Sequence, residues 1–123
     1  MSKVETVKEY ISAINEKNVD RLIEMMSEDH LFIDAYGQSE TKEMMKSGWV
    51  GYFLWFPDYH IEVEEIIEGA KSIGIFGYAS GSYLEQENKY WRIPASWRAV
   101  VQGDQLEIWQ VYADSKHQLD SMK

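Results

Sequence analysis

The 123-residue chain has no cysteine, only two prolines, and no apolar run long enough to cross a bilayer as a helix. Without cysteine there is no disulfide frame, no thiolate nucleophile and no zinc site of the cysteine type. Lysine and arginine are also scarce, 12 against 21 aspartates and glutamates, leaving a formal net charge of −9. That deficit of cations argues against nucleic acid or an anionic membrane surface as partner, because both are bound by clustered positive charge. The opening stretch MSKVETVKEY is charged where a signal peptide would be apolar, so a soluble, cytoplasmic protein is expected. The three histidines lie far apart with no second ligand at recognisable spacing, so neither a metal nor another cofactor is expected.

What the chain does have is bulk for a core: 45% of it is hydrophobic and 14% aromatic, with five tryptophans. Its length sets a single domain, residues 1–123. Val4, Val7, Ile11 and Ile14 recur at helical spacing and predict an amphipathic helix over residues 3–17. Asn18 suits the N-cap of a second, shorter helix carrying Leu22, Ile23 and Met26 inward. HLFIDA, residues 30–35, alternates like a strand, and Gly37 marks the turn after it. Ser39 is positioned to cap a third helix, whose stripe is Met45, Trp49, Tyr52, Phe53 and Phe56 and which Pro57 ends. Gly48 and Gly51 interrupt that helix at about 1 kcal/mol each relative to alanine, which implies close packing against them.

After Pro57 the pattern has period two. YHIEVEEII alternates and then loses phase at Glu64-Glu65, the mark of a bulge. Turns at EGAK, EQENK and QGDQ separate strands over 72–84, 89–102 and 105–114, so four consecutive strands form an antiparallel meander, followed by a short polar tail. Helices gathered on one face of such a sheet make an α+β cone with an opening where ligands bind.

Three stretches, YISAINEKNVDRLIEMMSEDHLFIDAYG, GWVGYFLWFPDYHIEVEEI and IPASWRAVVQGDQLEIWQVYAD, resemble the nuclear-transport-factor-2-like superfamily, in its branch of ketosteroid isomerases and SnoaL-like polyketide cyclases. The resemblance implies a cystatin-like cone of three helices from the N-terminal half packed on a curved antiparallel sheet. The interval from Tyr10 to Asp34 matches the isomerases without a gap. It implies Asp34 as the base that moves a proton beside a carbonyl and Tyr10 as a donor to the enolate oxygen. The family's second oxyanion donor, a neutral carboxylic acid, falls on Ser96 or Trp97, and neither is an acid. Alternation favours Trp97, because Ile93, Ala95, Trp97, Ala99 and Val101 form the more apolar face. Removing one oxyanion donor costs about 100- to 1000-fold in rate, so this departure bears on isomerase activity. An epoxide-hydrolase set of two aspartates and an arginine fits less well, with Val111 and Tyr112 where an acid would stand.

Each residue has a plainer reading too. Asp34 can accept backbone N–H bonds in its turn, and Tyr10 can be a buried structural tyrosine. His30 shares the strand face of Asp34 and can orient it or relay its proton, or else be structural. Trp49, Tyr52, Phe53 and Trp97 are expected at the ligand, with His30, Ser96 and Asp114 as further contacts. Asp114 can instead cap the chain end. Arg92 and Arg98 are expected to pair with glutamates of a neighbouring strand or of a second subunit. Because helices cover one sheet face, the other is expected to form a homodimer, with Trp91 or Trp109 as candidate contacts on it. The expected function is a SnoaL-like protein holding an apolar carbonyl compound, with isomerisation or cyclisation as its chemistry. The alternative is a non-catalytic binding or interaction module of the same fold.

Overall fold

The computed structural model describes all 123 residues. Helix α1, Lys3–Asn15, starts in a capping box: the Ser2 hydroxyl accepts from the Glu5 N–H, and the Glu5 carboxylate accepts from the Ser2 N–H. Its buried face carries Val7, Tyr10, Ile11 and Ile14. The helix stops two residues short of the expected end, because Lys17 takes a left-handed conformation at φ 57°. Asn18 then caps α2, Val19–Glu24, by accepting from the Arg21 N–H.

Strand β1, Met26–Ile33, begins four residues before the alternating stretch and ends one residue before Asp34. A turn with Gly37 at φ 84° leads into the three-residue strand β2, Ser39–Thr41. The cap of α3, Lys42–Trp55, is therefore Thr41 and not Ser39, which pairs with Ile33 across β1 and β2. Gly48 packs closely, with the Met45 sulfur 3.1 Å from where a Cβ would stand, whereas Gly51 has nothing within 4 Å.

The meander follows as expected: β3, His60–Glu68; β4, Ile73–Ser82; β5, Tyr90–Gln102; and β6, Gln105–Ala113. The β3–β4 register shifts between Val63 and Glu65, where the alternation breaks. The six strands lie in the order β2-β1-β6-β5-β4-β3, antiparallel throughout except for the parallel β1–β6 pair. The Asn15 amide ties α1 to β3 by exchanging two hydrogen bonds with the Ile61 backbone, at 2.8 and 3.1 Å.

The expected polar tail is a fourth helix, α4, Lys116–Ser121, so one helix also comes from the C-terminal end. None of the helices is long and apolar enough to cross a membrane.

The inner face of β5 carries Ile93, Ala95, Trp97, Ala99 and Val101, all buried. Trp91 and Trp109 are buried on that inner side as well, so neither belongs to the outer face. The outer face carries Phe76, Ser96 and Tyr112 in one cross-strand row, with Phe76 and Tyr112 exposed. There Arg92 pairs with Glu62 at 2.6 Å and lies over the Tyr78 ring, while Arg98 donates to the Gln110 side chain and not to a glutamate.

Candidate ligand cavity

Between α3, α4 and the inner sheet face lies a cavity of about 380 Å³. Of its 22 lining residues 17 are hydrophobic, so its chemistry favours an apolar occupant. Helix α3 contributes Met45, Gly48, Trp49, Tyr52 and Trp55, and the sheet contributes Phe32, Trp91, Trp97 and Trp109 among others. Helix α1 contributes no lining residue, and α4 and its cap contribute Ser115, Gln118 and Leu119. The Gln118 amide donates to the Tyr52 hydroxyl, which ties α4 to α3 across the mouth. The lining contains no lysine, arginine or histidine, and its only carboxylates are Asp34 and Glu40.

Asp34 borders the cavity half-buried, with its Oδ1 accepting from the Tyr36 N–H at 2.9 Å and the Gln38 N–H at 3.0 Å. Asp34 thus borders the cavity while its carboxylate holds the turn. Tyr10 stands behind the wall: it is fully buried, its ring centroid is 5.0 Å from that of Trp109, and it lies outside the lining. Burial pushes its hydroxyl above the usual phenol range, opposed in part by the neighbouring Trp49 N–H. By strict geometry neither of these groups completes a hydrogen bond. Trp49, Tyr52 and Trp97 reach the cavity, but Phe53 does not; it stacks on Trp49 at 5.2 Å from the side away from the lining.

Trp97 and Ser96 occupy opposite sheet faces, and only Trp97 reaches the cavity. His30 is buried outside the lining, where its Nδ1 donates to the Leu106 carbonyl at 2.6 Å. Burial lowers its affinity for a proton, with Lys42 acting in the same direction and the Leu106 carbonyl opposing both. Asp114 is exposed beyond β6, and its carboxylate accepts from the Lys116 N–H at 3.0 Å. No group of three histidines, aspartates or glutamates converges as a metal site would require.

Glu40 and the α4 residues carried no signal in the sequence pattern. Glu40 sits in a strand too short to alternate, and α4 is too short and polar for its periodicity to show. The rings of Trp49, Trp91 and Trp97 line the cavity, but their indole N–H groups are unpaired, buried within the wall and closed to the cavity.

These features define the class, an α+β cone around a mostly apolar cavity whose lining includes two carboxylates. The sequence model of the SnoaL-like domain matches residues 7–116, and the chain belongs to that family. No curated protein sequence matches it.

Among solved structures, IdmH of Streptomyces antibioticus, a candidate polyketide cyclase, superposes with a TM-score of 0.82 at 14% identity, covering 99% of both chains. A candidate SnoaL-like polyketide cyclase from Shewanella putrefaciens gives 0.81 at 14% identity, covering 99% of this chain and 97% of its own. A hypothetical protein of ketosteroid isomerase-like fold from Catenulispora acidiphila, in complex with trimethylamine, gives 0.79 at 16% identity, covering 90% of this chain and 86% of its own. At such identities the likeness is one of fold.

Proposed function

We propose that the chain binds an apolar carbonyl compound in this cavity and moves a proton beside the carbonyl, as in isomerisation or polyketide-type cyclisation. The observation that carries the reading is a mostly apolar cavity whose lining holds two carboxylates, Asp34 and Glu40, and no cation. A hydrogen-bond donor at the carbonyl oxygen stabilises the negative charge that grows there as the neighbouring carbon loses its proton. A carboxylate takes that proton, a part the family resemblance gives to Asp34. Tyr10 lies outside the lining and the Trp97 N–H is closed off within the wall, so neither serves as that donor.

One observation favours a non-catalytic binding module instead: Oδ1 of Asp34 is already committed to two backbone N–H groups. The two readings separate with β-tetralone, a compact ketone with acidic hydrogens beside its carbonyl. Proton NMR in deuterated water is expected to show faster exchange of those hydrogens with the protein than in matched buffer. Saturable quenching of tryptophan fluorescence without exchange would favour the binding module, and neither effect would overturn both readings.

We also propose a homodimer formed through the outer sheet face. Phe76 and Tyr112 are both exposed there, flanking Ser96 in a row that no helix covers. Sedimentation at micromolar concentration should show a dimer, and Tyr112→Glu should shift it to monomer. A wild-type protein that stays monomeric at millimolar concentration would remove the proposal.

A further inference from the structure

Glu40 is the central residue of β2 and pairs with Phe32 of β1. Residues directly opposite in an antiparallel pair point to the same side of the sheet, and both of these line the cavity. The Glu40 side chain lies against the bare backbone of α3: its Oε2 is 3.6 Å from where a Cβ on Gly48 would stand.

The nearby cations are otherwise engaged. Lys42 lies 3.9 Å from Glu28 and donates to the Met26 carbonyl, and Lys46 pairs with Glu43. No protein group forms a hydrogen bond or ion pair with the Glu40 carboxylate. Of the two carboxylates in the lining, it alone has both oxygens free.

Asp34 is built into the backbone instead. Its Oδ1 receives the Tyr36 and Gln38 N–H groups, its own N–H donates to the Gln38 carbonyl, and its carbonyl accepts from the Gly37 N–H. These four bonds close the turn between β1 and β2. The turn sets Ile33 opposite Ser39, and that register places Glu40 opposite Phe32 in the cavity wall. A one-residue slip would turn Glu40 to the other sheet face.

We infer that Glu40 is the proton acceptor of this cavity and that Asp34 is a positioning residue, which holds the strand of Glu40 in register. The inference rests on the proton-transfer reading above and moves the base within the same site. In the step, a Glu40 oxygen takes a proton from the carbon beside the ligand carbonyl. The C–H electron pair becomes a carbon–carbon double bond, and the carbonyl π pair moves to oxygen. Return of the proton from Glu40 to carbon completes the transfer, with no oxidant or second reactant. The plainer role for Glu40 is a charge that protects an edge strand from pairing with another chain. An inward charge serves that role too, but it predicts exchange unchanged in Glu40→Gln.

The test uses the full chain and the β-tetralone exchange assay, with tryptophan fluorescence for binding and circular dichroism for folding. Glu40→Gln should slow exchange by about 100-fold or more, the range of a lost general base, with β-tetralone affinity held. Glu40→Asp should recover part of the rate. Asp34→Asn still offers an oxygen to the Tyr36 and Gln38 N–H groups, so it should lose no more than about tenfold. Asp34→Ala, which cannot hold the turn, should lose more than Asp34→Asn. Loss in Asp34→Asn as large as in Glu40→Gln would overturn the assignment, as would exchange that Glu40→Gln leaves intact. A wild-type protein that binds β-tetralone without exchanging it would overturn the proton-transfer reading itself, and this inference with it.

Discussion

Gly77→Ala is expected to lower the melting temperature by roughly 15 °C. Gly77 sits in β4 opposite Val63, at the edge of the bulge where the β3 register shifts. A Cβ there would lie 1.9 Å from the Glu62 carbonyl oxygen and 2.9 Å from its carbon. Both atoms are backbone, so no side chain can swing away, and the β3–β4 ladder itself must separate. Steric strain of this kind belongs among the largest single-residue effects, about 4 kcal/mol. For a chain of this size that corresponds to roughly 4 °C per kcal/mol.

Gly51→Ala is the matched control. Nothing lies within 4 Å of the added carbon in the middle of α3, and the change should stabilise by about 0.5–1 kcal/mol. Thermal melts followed by circular dichroism decide the matter. Equal melting temperatures for Gly77→Ala and the wild type would mean that the bulge shifts freely.

Trp109→Ala should cost about 3–5 kcal/mol, the range for removing a large buried aromatic side chain. Trp109 is 1% exposed, stacks on Trp97 with ring centroids 6.4 Å apart, and supports the ring of Tyr10. It therefore joins α1 to the sheet and separates Tyr10 from the cavity. Its loss opens the cavity toward α1, a void that the surrounding rings cannot fill by small shifts. Urea denaturation should show a lower midpoint with an unchanged slope, and Trp109→Phe should recover more than half of the loss. A midpoint close to wild type would mean that the aromatic wall repacks as a fluid layer.

The parts of the fold legible in the sequence are those governed by local periodicity. The alternation through Ile93, Ala95, Trp97, Ala99 and Val101 assigned the inner face of β5, and the phase break at Glu64-Glu65 located the bulge. Less legible were elements too short to show a period. Ser39 looked like a helix cap, but three residues of β2 pairing with β1 claim it first, and the cap moves to Thr41. The residues after β6 read as a tail, yet contacts of Gln118 and Leu119 with the cavity make them its wall.

The candidate site divides along the same line. By itself the sequence determined which side chains face inward, because a period of two or 3.6 assigns a face without knowledge of what lies opposite. Only the tertiary structure decided which inward side chains meet the cavity. Phe53 and Tyr10 point inward and are covered by Trp49 and Trp109, while Trp97 reaches the cavity surface. Depth within a core depends on where α1 and α3 cross the sheet, and that is set by packing between residues far apart in the chain. Glu40 enters the wall for the same reason. Its place follows from a hydrogen-bonded turn and a strand register, neither of which leaves a periodic mark in the sequence.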